Sequence, residues 1–360
     1  MSTRNIKTLR YLALFVAILS FGAIASGDAS AASTFDTYTD GDGVVWDRET
    51  TDDGDIYIGV QSVPSGVTTI TVPSMSAVAS GKSTYFLDSI CYYNGGCSSV
   101  VADTANVTKL DMTNTSGIQI KNVSHVFDTN HEVELIFGEN VVIADPRGTN
   151  ASGLVDNDYY PIGSGQSQNP YTGVDGAFEG MKIKLTGFDN VKYIGWNAFR
   201  NTELNQSNVD ITIGDSQTIG AYVFAGSNVK SLSINLTEVS QGFCQNCASL
   251  ESLTLGSNVQ IIRASAFENT TALAQRLETS ATRIYAQAFK GSAITGASLT
   301  SATAIDRESF MNTNLSTGVS FNTAGYSIGY MAFRNAGLSE VDLSAVLTIE
   351  AYGFADNSIT

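Results

Sequence analysis

The sequence predicts a repeat solenoid: a β-rich superhelix on a parallel sheet, with short helical or 3-10 turns and an N-terminal β-hairpin cap. Three observations carry that expectation. An aliphatic residue, four positions and then Phe recur every 20 to 25 residues through the C-terminal half. Between these anchors lie short apolar, polar, apolar stretches, the period of a strand with one buried face. The 360 residues also hold 33 Gly and only 5 Pro, with abundant Ser, Thr and Asn, which suits many short strands and turns. The length exceeds one ordinary globular core, but a repeat array extends its core along one axis.

The anchor motif appears as Ile194-Gly195-Trp196-Asn197-Ala198-Phe199 and returns at Ile219 to Phe224, Ile262 to Phe267 and Ile284 to Phe289. It continues at Ile305 to Phe310, Ile328 to Phe333 and Ile349 to Phe354, and Ala177-Phe178 opens the series without its Ile. One unit departs from the pattern: Val239-Ser240 leads to Phe243-Cys244, with Cys at the Phe place and Phe at the Ala place. The structural anchors are therefore Phe178, Phe199, Phe224, Cys244, Phe267, Phe289, Phe310, Phe333 and Phe354. The Ile-to-Phe piece lacks alternation and suits a tight turn or a single turn of helix.

The second element is a strand. It reads Leu250-Glu251-Ser252-Leu253-Thr254-Leu255, with matches at Val229 to Ile234, Leu338 to Leu343 and, more loosely, Val209 to Ile213. Leu253 and Leu255 point one way and Thr254 the other. A unit of about 22 residues cannot close a core alone, so units must stack, with like strands paired in parallel and each Phe piled on the next. The polar strand positions Ser231, Ser233, Ser252, Thr254, Glu340 and Asp342 then line an exposed face. Any one of them reads first as solvated surface; the face as a whole is the candidate ligand surface.

These residues resemble the BspA-type leucine-rich repeats of bacterial surface proteins. That pattern runs Ile-Gly-x-x-Ala-Phe-x-x-Cys-x-x-Leu-x-x-Leu-x-Leu, and Val239 to Leu255 follows it almost throughout, with Cys247 and Leu250 in place. The resemblance covers residues 174–360. It implies that the Cys position faces the core, so Cys247 is a small buried residue. Thr202, Ser227, Thr270, Ser292, Thr313 and Ala336 stand there in other units. The Pro that follows the strand in the family is mostly missing, and strand leucines are often replaced, as in Ala293 to Leu299. The resemblance further implies an adhesin-like surface protein that binds extracellular proteins or glycans. A display stalk without a specific ligand, and the repeat region of a larger surface enzyme, are the alternatives.

Residues 1–31 read as a secretory signal. Arg4, Lys7 and Arg10 precede an uncharged apolar run from Tyr11 to Ala25, and Ala29-Ser30-Ala31 fits a cleavage site. The rival reading is an uncleaved anchor, but a run of about 15 residues falls short of the roughly 20 that span a bilayer. Residues 32–73 read as the cap and first strand. Gly43 to Trp46 and Asp55 to Ile58 flank the acidic turn Asp52-Asp53-Gly54 as a hairpin, and Val67 to Pro73 follows as a strand. This part resembles the N-terminal region of BspA-type proteins. Residues 74–143 read as degenerate repeats, with strands at Val107 to Met112 and Val133 to Gly138 around an anchor-like Val126-Phe127. Residues 144–173, rich in Gly, Asn, Asp, Tyr and Ser, read as an exposed loop insertion with a binding role. The chain stops at Thr360, where another strand is due, which predicts further sequence beyond it.

Charge and chemistry narrow the function. The chain carries 19 Lys and Arg against 35 Asp and Glu, a net −16. Loss of residues 1–31 removes three basic residues and Asp28, leaving 16 against 34, or −18. Such a surface repels nucleic acid and anionic lipid, so neither nucleic-acid binding nor membrane insertion after signal cleavage is expected. Cys91 and Cys97 flank the turn-like Tyr92 to Gly96 and suit a disulfide. Cys244-x-x-Cys247 is compatible with a redox motif, half a zinc site or a structural role. Zinc requires more ligands and the redox role a thioredoxin-like βαβ setting. His125 and His131 read as turn residues rather than a metal pair, and Asp40-Gly41-Asp42-Gly43 as an Asp-Gly turn rather than a calcium loop. No nucleophile motif stands out. The expectation is a secreted or cell-surface binding protein, not an enzyme, with no cofactor and no metal.

Overall fold

A computed structural model describes residues 34–50, 54–78, 85–88, 104–123, 126–127, 131–143, 176–205 and 211–360. The signal segment 1–31, the Cys91–Cys97 pair, His125 and the insertion 144–173 lie outside the described residues. Within Thr34–Thr360, one compact unit, the strands fall into two sets, and most repeats contribute two strands rather than one.

The first set is the leucine-side ladder that the alternation marks. Its strands Thr69–Thr71, Lys109–Asp111, Glu132–Ile136, Lys182–Thr186 and Glu203–Leu204 form one parallel sheet. Ile211–Ile213, Ser231–Ile234 and Ser252–Leu255 form the next, and Arg276–Glu278, Gly296–Leu299 and Val319–Phe321 a third. Partners differ by one unit, as in Ile211↔Leu232 and Leu232↔Leu253. The strands expected around 107–112, 133–138 and 67–73 are all present and their inward apolar residues are buried. Ile70, Val72, Leu110, Met112, Leu135 and Phe137 belong to the same core as the later leucines.

The second set is an isoleucine-side ladder, which the sequence pattern did not reveal. Here Val191–Ile194 pairs with Thr218–Ile219, and Glu238–Val239, Ile261–Ile262, Arg283–Ile284, Ala304–Ile305, Tyr326–Ile328 and Val346–Ile349 pair in order, all parallel. The anchor Ile thus ends a strand instead of opening a helix. At the N-terminal side, Thr34–Thr39, Val45–Thr50 and Ile56–Ser62 pair antiparallel, and Ile56–Ser62 then pairs in parallel with Tyr85–Asp88. The expected hairpin between 43 and 58 is therefore formed by Val45–Thr50 and Ile56–Ser62.

The Phe segments are tight turns, the first of the two forms expected, and not single helical or 3-10 turns. From Phe199 onward, the residues two before and two after each anchor have left-handed backbones. After the anchor these are Asn201, Gly226, Asn246, Asn269, Gly291, Asn312, Asn335 and Asp356. Asn and Gly tolerate that region at least cost. Repeated sign changes in φ are incompatible with a helix, and they turn every second N–H toward the next unit. Phe289 N–H donates to Ser309 C=O at 2.8 Å, Phe310 to Ala332 at 2.8 Å and Phe333 to Gly353 at 2.8 Å. Asn269 Nδ2 donates to Asn246 Oδ1 at 2.9 Å and Asn335 Nδ2 to Asn312 Oδ1 at 3.0 Å, so side chains repeat the backbone ladder.

The anchors form a ring stack. Phe178, Phe199 and Phe224 lie face to face with centroids 5.3 and 5.4 Å apart. Phe267, Phe289, Phe310, Phe333 and Phe354 continue at 5.1–5.4 Å. The off-pattern unit is corrected in one respect. Cys244 occupies the anchor's backbone place, its N–H on Ala266 C=O at 2.8 Å. The ring between Phe224 and Phe267 comes from Phe243, tilted, at 5.6 and 6.3 Å.

Candidate functional site

The outward side of the leucine-side ladder is the candidate site, and it has three parts. From Lys109 to Glu203 it is charged. Glu134 accepts from Lys184 Nζ at 2.8 Å and Thr186 Oγ1 at 2.9 Å, with Lys109 Nζ at 3.1 Å. Those bonds, Lys184 first, hold the Glu134 carboxyl down at about 2, and the same contact raises the Lys184 ammonium. Lys182 pairs with Glu203 at 3.3 Å, and Asn205 Nδ2 donates to Glu132 Oε2 at 2.7 Å. Sequence reasoning missed this row, although Lys182-Ile183-Lys184-Leu185 alternates as clearly as the leucine strands.

The middle part is uncharged and bears hydroxyls. Ser231 lies opposite Ser252, and Thr212, Ser233 and Thr254 follow one another across three strands. Ser252 and Thr254 are exposed, while Ser231 and Ser233 are half-buried. Their neighbours Leu232, Ile234 and Leu253 are buried on the other side. The four predicted positions therefore share one face.

The third part departs from expectation. Residues 338–343 do not form a strand. Glu340 and Asp342 are exposed, but they sit across a cleft from Val319 and Ser320 rather than in the sheet. The physical reason is local: the Tyr326 hydroxyl donates to Asp342 C=O at 2.9 Å and ties the segment elsewhere. A hydrogen bond from the Ser344 N–H lowers the Asp342 carboxyl. Sequence reasoning also missed Arg276. Its guanidinium lies across neighbouring strands and donates to Ala297 C=O at 3.1 Å and Gly318 C=O at 3.0 Å, and it pairs with Glu278 at 3.2 Å. An added Cβ at Gly296 would sit 2.7 Å from Arg276 Nη1, so glycine makes the space.

The remaining candidates have structural partners. Cys244 and Cys247 form a disulfide, both fully buried in one turn with Cα atoms 5.4 Å apart. Other units link the same two places by a hydrogen bond: Thr202, Thr270 and Thr313 donate to the carbonyls of Phe199, Phe267 and Phe310 at 2.8, 3.0 and 2.7 Å. The buried small residue inferred for Cys247 is thus found as half of a cystine. Asp40 closes its own turn, accepting from the Asp42 and Val44 N–H groups at 3.0 Å and from Trp46 Nε1 at 2.9 Å. His131 Nε2 lies 2.8 Å from Val107 C=O. Among the described residues no group of three or more His, Cys, Asp or Glu is placed to hold a metal ion. Among them, too, no helix is long and apolar enough to cross a membrane.

A repeated two-strand unit with an inward leucine row, an inward Phe stack and a variable polar face defines a leucine-rich-repeat protein. A family model described as BspA type leucine rich repeat region matches in six copies, over residues 174–274 and 237–360. The chain belongs to that family. No curated relative and no solved structure matches it.

Proposed function

We propose that this chain is a secreted or cell-surface binding protein, adhesin-like, whose repeats stack as a solenoid behind an N-terminal hairpin cap. It recognises extracellular proteins or glycans through the outward side of the leucine-side ladder. The observation that carries this reading is the in-register hydroxyl surface of Thr212, Ser231, Ser233, Ser252 and Thr254. Hydroxyls donate and accept without the desolvation cost of a charge, and on a regular sheet they repeat at about 4.8 Å between strands. In this reading the chain has no catalytic centre, and the Lys109 to Glu203 row, consumed by its own ion pairs, supports the surface without engaging a ligand. Membership of a family of surface-associated repeats supports the location.

The test is an array of matrix proteins and glycans probed with the protein and with Ser252→Lys/Thr254→Lys. Saturable binding that falls at least about tenfold in the double variant is expected, from losing two central contacts. No saturable ligand on the array, or binding indifferent to the double variant, would leave the display-stalk reading in its place.

A further inference from the structure

The leucine-side ladder stops at a strand with one open edge. Val319–Phe321 pairs with Gly296–Leu299 through Ala297↔Val319, Ser298↔Ser320 and Leu299↔Phe321. The Ala297 N–H donates to Gly318 C=O at 3.2 Å. Peptide groups alternate sides along a strand. Gly318 and Ser320 therefore face that neighbour, while Val319 and Phe321 turn their N–H and C=O groups to the other edge. The repeat spacing puts residues 340–343 beside that edge, yet they do not pair with it.

The separation is local. Nearer the Phe stack the units close normally, with Leu315 N–H on Ala336 C=O at 2.7 Å. Beyond Leu338 the chain diverges, held by the Tyr326 hydroxyl on Asp342 C=O and by the Ser344 N–H on Asp342 Oδ1 at 2.8 Å. A cleft of about 450 Å³ opens between the two segments, lined among others by Arg276, Val319, Ser320, Glu340, Val341 and Asp342. Glu278 balances Arg276 at 3.2 Å. The exposed carboxylates of Glu340 and Asp342 therefore set the sign of the cleft.

We propose that this cleft takes an extended basic peptide segment of a protein partner as an added strand. The peptide backbone pairs with the Val319 and Phe321 edge, and its Lys or Arg side chains meet Glu340 and Asp342. Three residues of edge offer about 10 Å of pairing at roughly 3.3 Å per residue. The net −16 of the chain steers a cationic segment toward it. A neutral glycan matches neither the row of peptide groups nor the charge. The inference rests on the reading of the chain as a binding protein, and it names one partner chemistry for one end of the face.

The test uses the full chain and a fluorescein-labelled Lys-Val-Lys-Val-Lys peptide, read by anisotropy. Saturable binding is expected, about tenfold weaker in Glu340→Gln/Asp342→Asn and weaker at high salt. It is expected to disappear when the valines are N-methylated, which removes their N–H donors. Equal binding of the N-methylated peptide, equal binding of Glu-Val-Glu-Val-Glu, or no saturation by about 1 mM peptide overturns the proposal. So does a glycan that binds this cleft in the peptide's place and is lost in the same double variant. Ser252→Lys/Thr254→Lys is expected to leave the peptide signal unchanged. A protein that binds the array through its hydroxyl surface but ignores the peptide refutes the cleft alone.

Discussion

Truncating one ring of the Phe stack measures how much of the fold rests on it. Phe310 is fully buried, with Phe289 5.4 Å away on one side and Phe333 5.1 Å on the other, both nearly parallel. Phe310→Ala removes the transfer energy of the ring and leaves a cavity that two rigid neighbouring turns cannot collapse into, a loss of about 3–5 kcal/mol. Two ring contacts, each worth about 0.5–1.5 kcal/mol beyond burial, place it toward the upper end. Phe354 provides the internal comparison. It is only half-buried and has one stacked neighbour, Phe333 at 5.3 Å. Full burial of such a side chain is worth about 1.5–3 kcal/mol, so Phe354→Ala should cost about 1–2 kcal/mol. Urea unfolding followed by far-UV circular dichroism gives both losses. Hydrogen exchange shows whether opening stays within the neighbouring units, as a nearest-neighbour array requires. A loss below about 1 kcal/mol for Phe310→Ala, or equal losses at the two positions, would refute the stack as a main source of stability.

Reducing the buried Cys244–Cys247 bond frees a four-residue loop and should cost about 2 kcal/mol in the chain-entropy model. The triple variant Phe243→Ala/Cys244→Phe/Cys247→Thr restores the common unit and should make stability independent of reductant, which thermal unfolding with and without dithiothreitol checks. Glu134→Gln should destabilise at neutral pH. The native carboxyl lies at about 2 against an ordinary 4.5, so its contribution is complete above 4.5 and fades as pH falls toward 2. Unfolding midpoints of both proteins across that range should therefore converge at the acid end; a constant gap would contradict the assignment. At the left-handed Asn269, φ 58°, Asn269→Gly should be nearly neutral and Asn269→Val should cost at least about 1–2 kcal/mol by urea unfolding.

What the sequence made legible follows from which residues repeat their chemistry. The Phe anchors and the Leu250 to Leu255 type of strand were readable because burial demands one residue class at one spacing. The isoleucine-side ladder was not, because strands such as Glu238–Val239 and Ile261–Ile262 are two residues long and show no alternation. The left-handed turns were hidden for another reason. Position two after the anchor advertises itself with Asn, Gly or Asp, but position two before it, apart from Asn197 and Gly242, holds Tyr222, Ser265, Gln287, Glu308, Met331 and Tyr352, none typical of that backbone. There the inter-unit N–H ladder imposes a conformation that local propensity opposes. Phe243 shows the converse: the backbone register followed Cys244 as read, while a tilted ring from the preceding residue filled the stack. The hydroxyl surface at Ser231, Ser233, Ser252 and Thr254 was legible by alternation. Glu340 and Asp342 were misplaced, because the bond from Tyr326 that withdraws their segment has no trace in the local pattern.

The division between the inward and outward rows explains how the outward surface can vary while the core beneath it does not. Every inward position is answerable to two neighbouring units at once: Phe310 to Phe289 and Phe333, Leu232 to Ile211 and Leu253. A substitution there disturbs both interfaces, so the inward rows stay uniform. An outward position is answerable only to side chains across the strand, and these have three separate solutions in one molecule. Ion pairs run from Lys109 to Glu203, hydroxyls from Thr212 to Thr254, and a guanidinium at Arg276 bridges strands over Gly296. The core beneath these three surfaces is the same leucine and phenylalanine packing. Exchanging one outward surface for another therefore leaves the energetics of stacking largely intact, and the place where stacking itself fails, beside Val319–Phe321, is the place where the face gains a cleft.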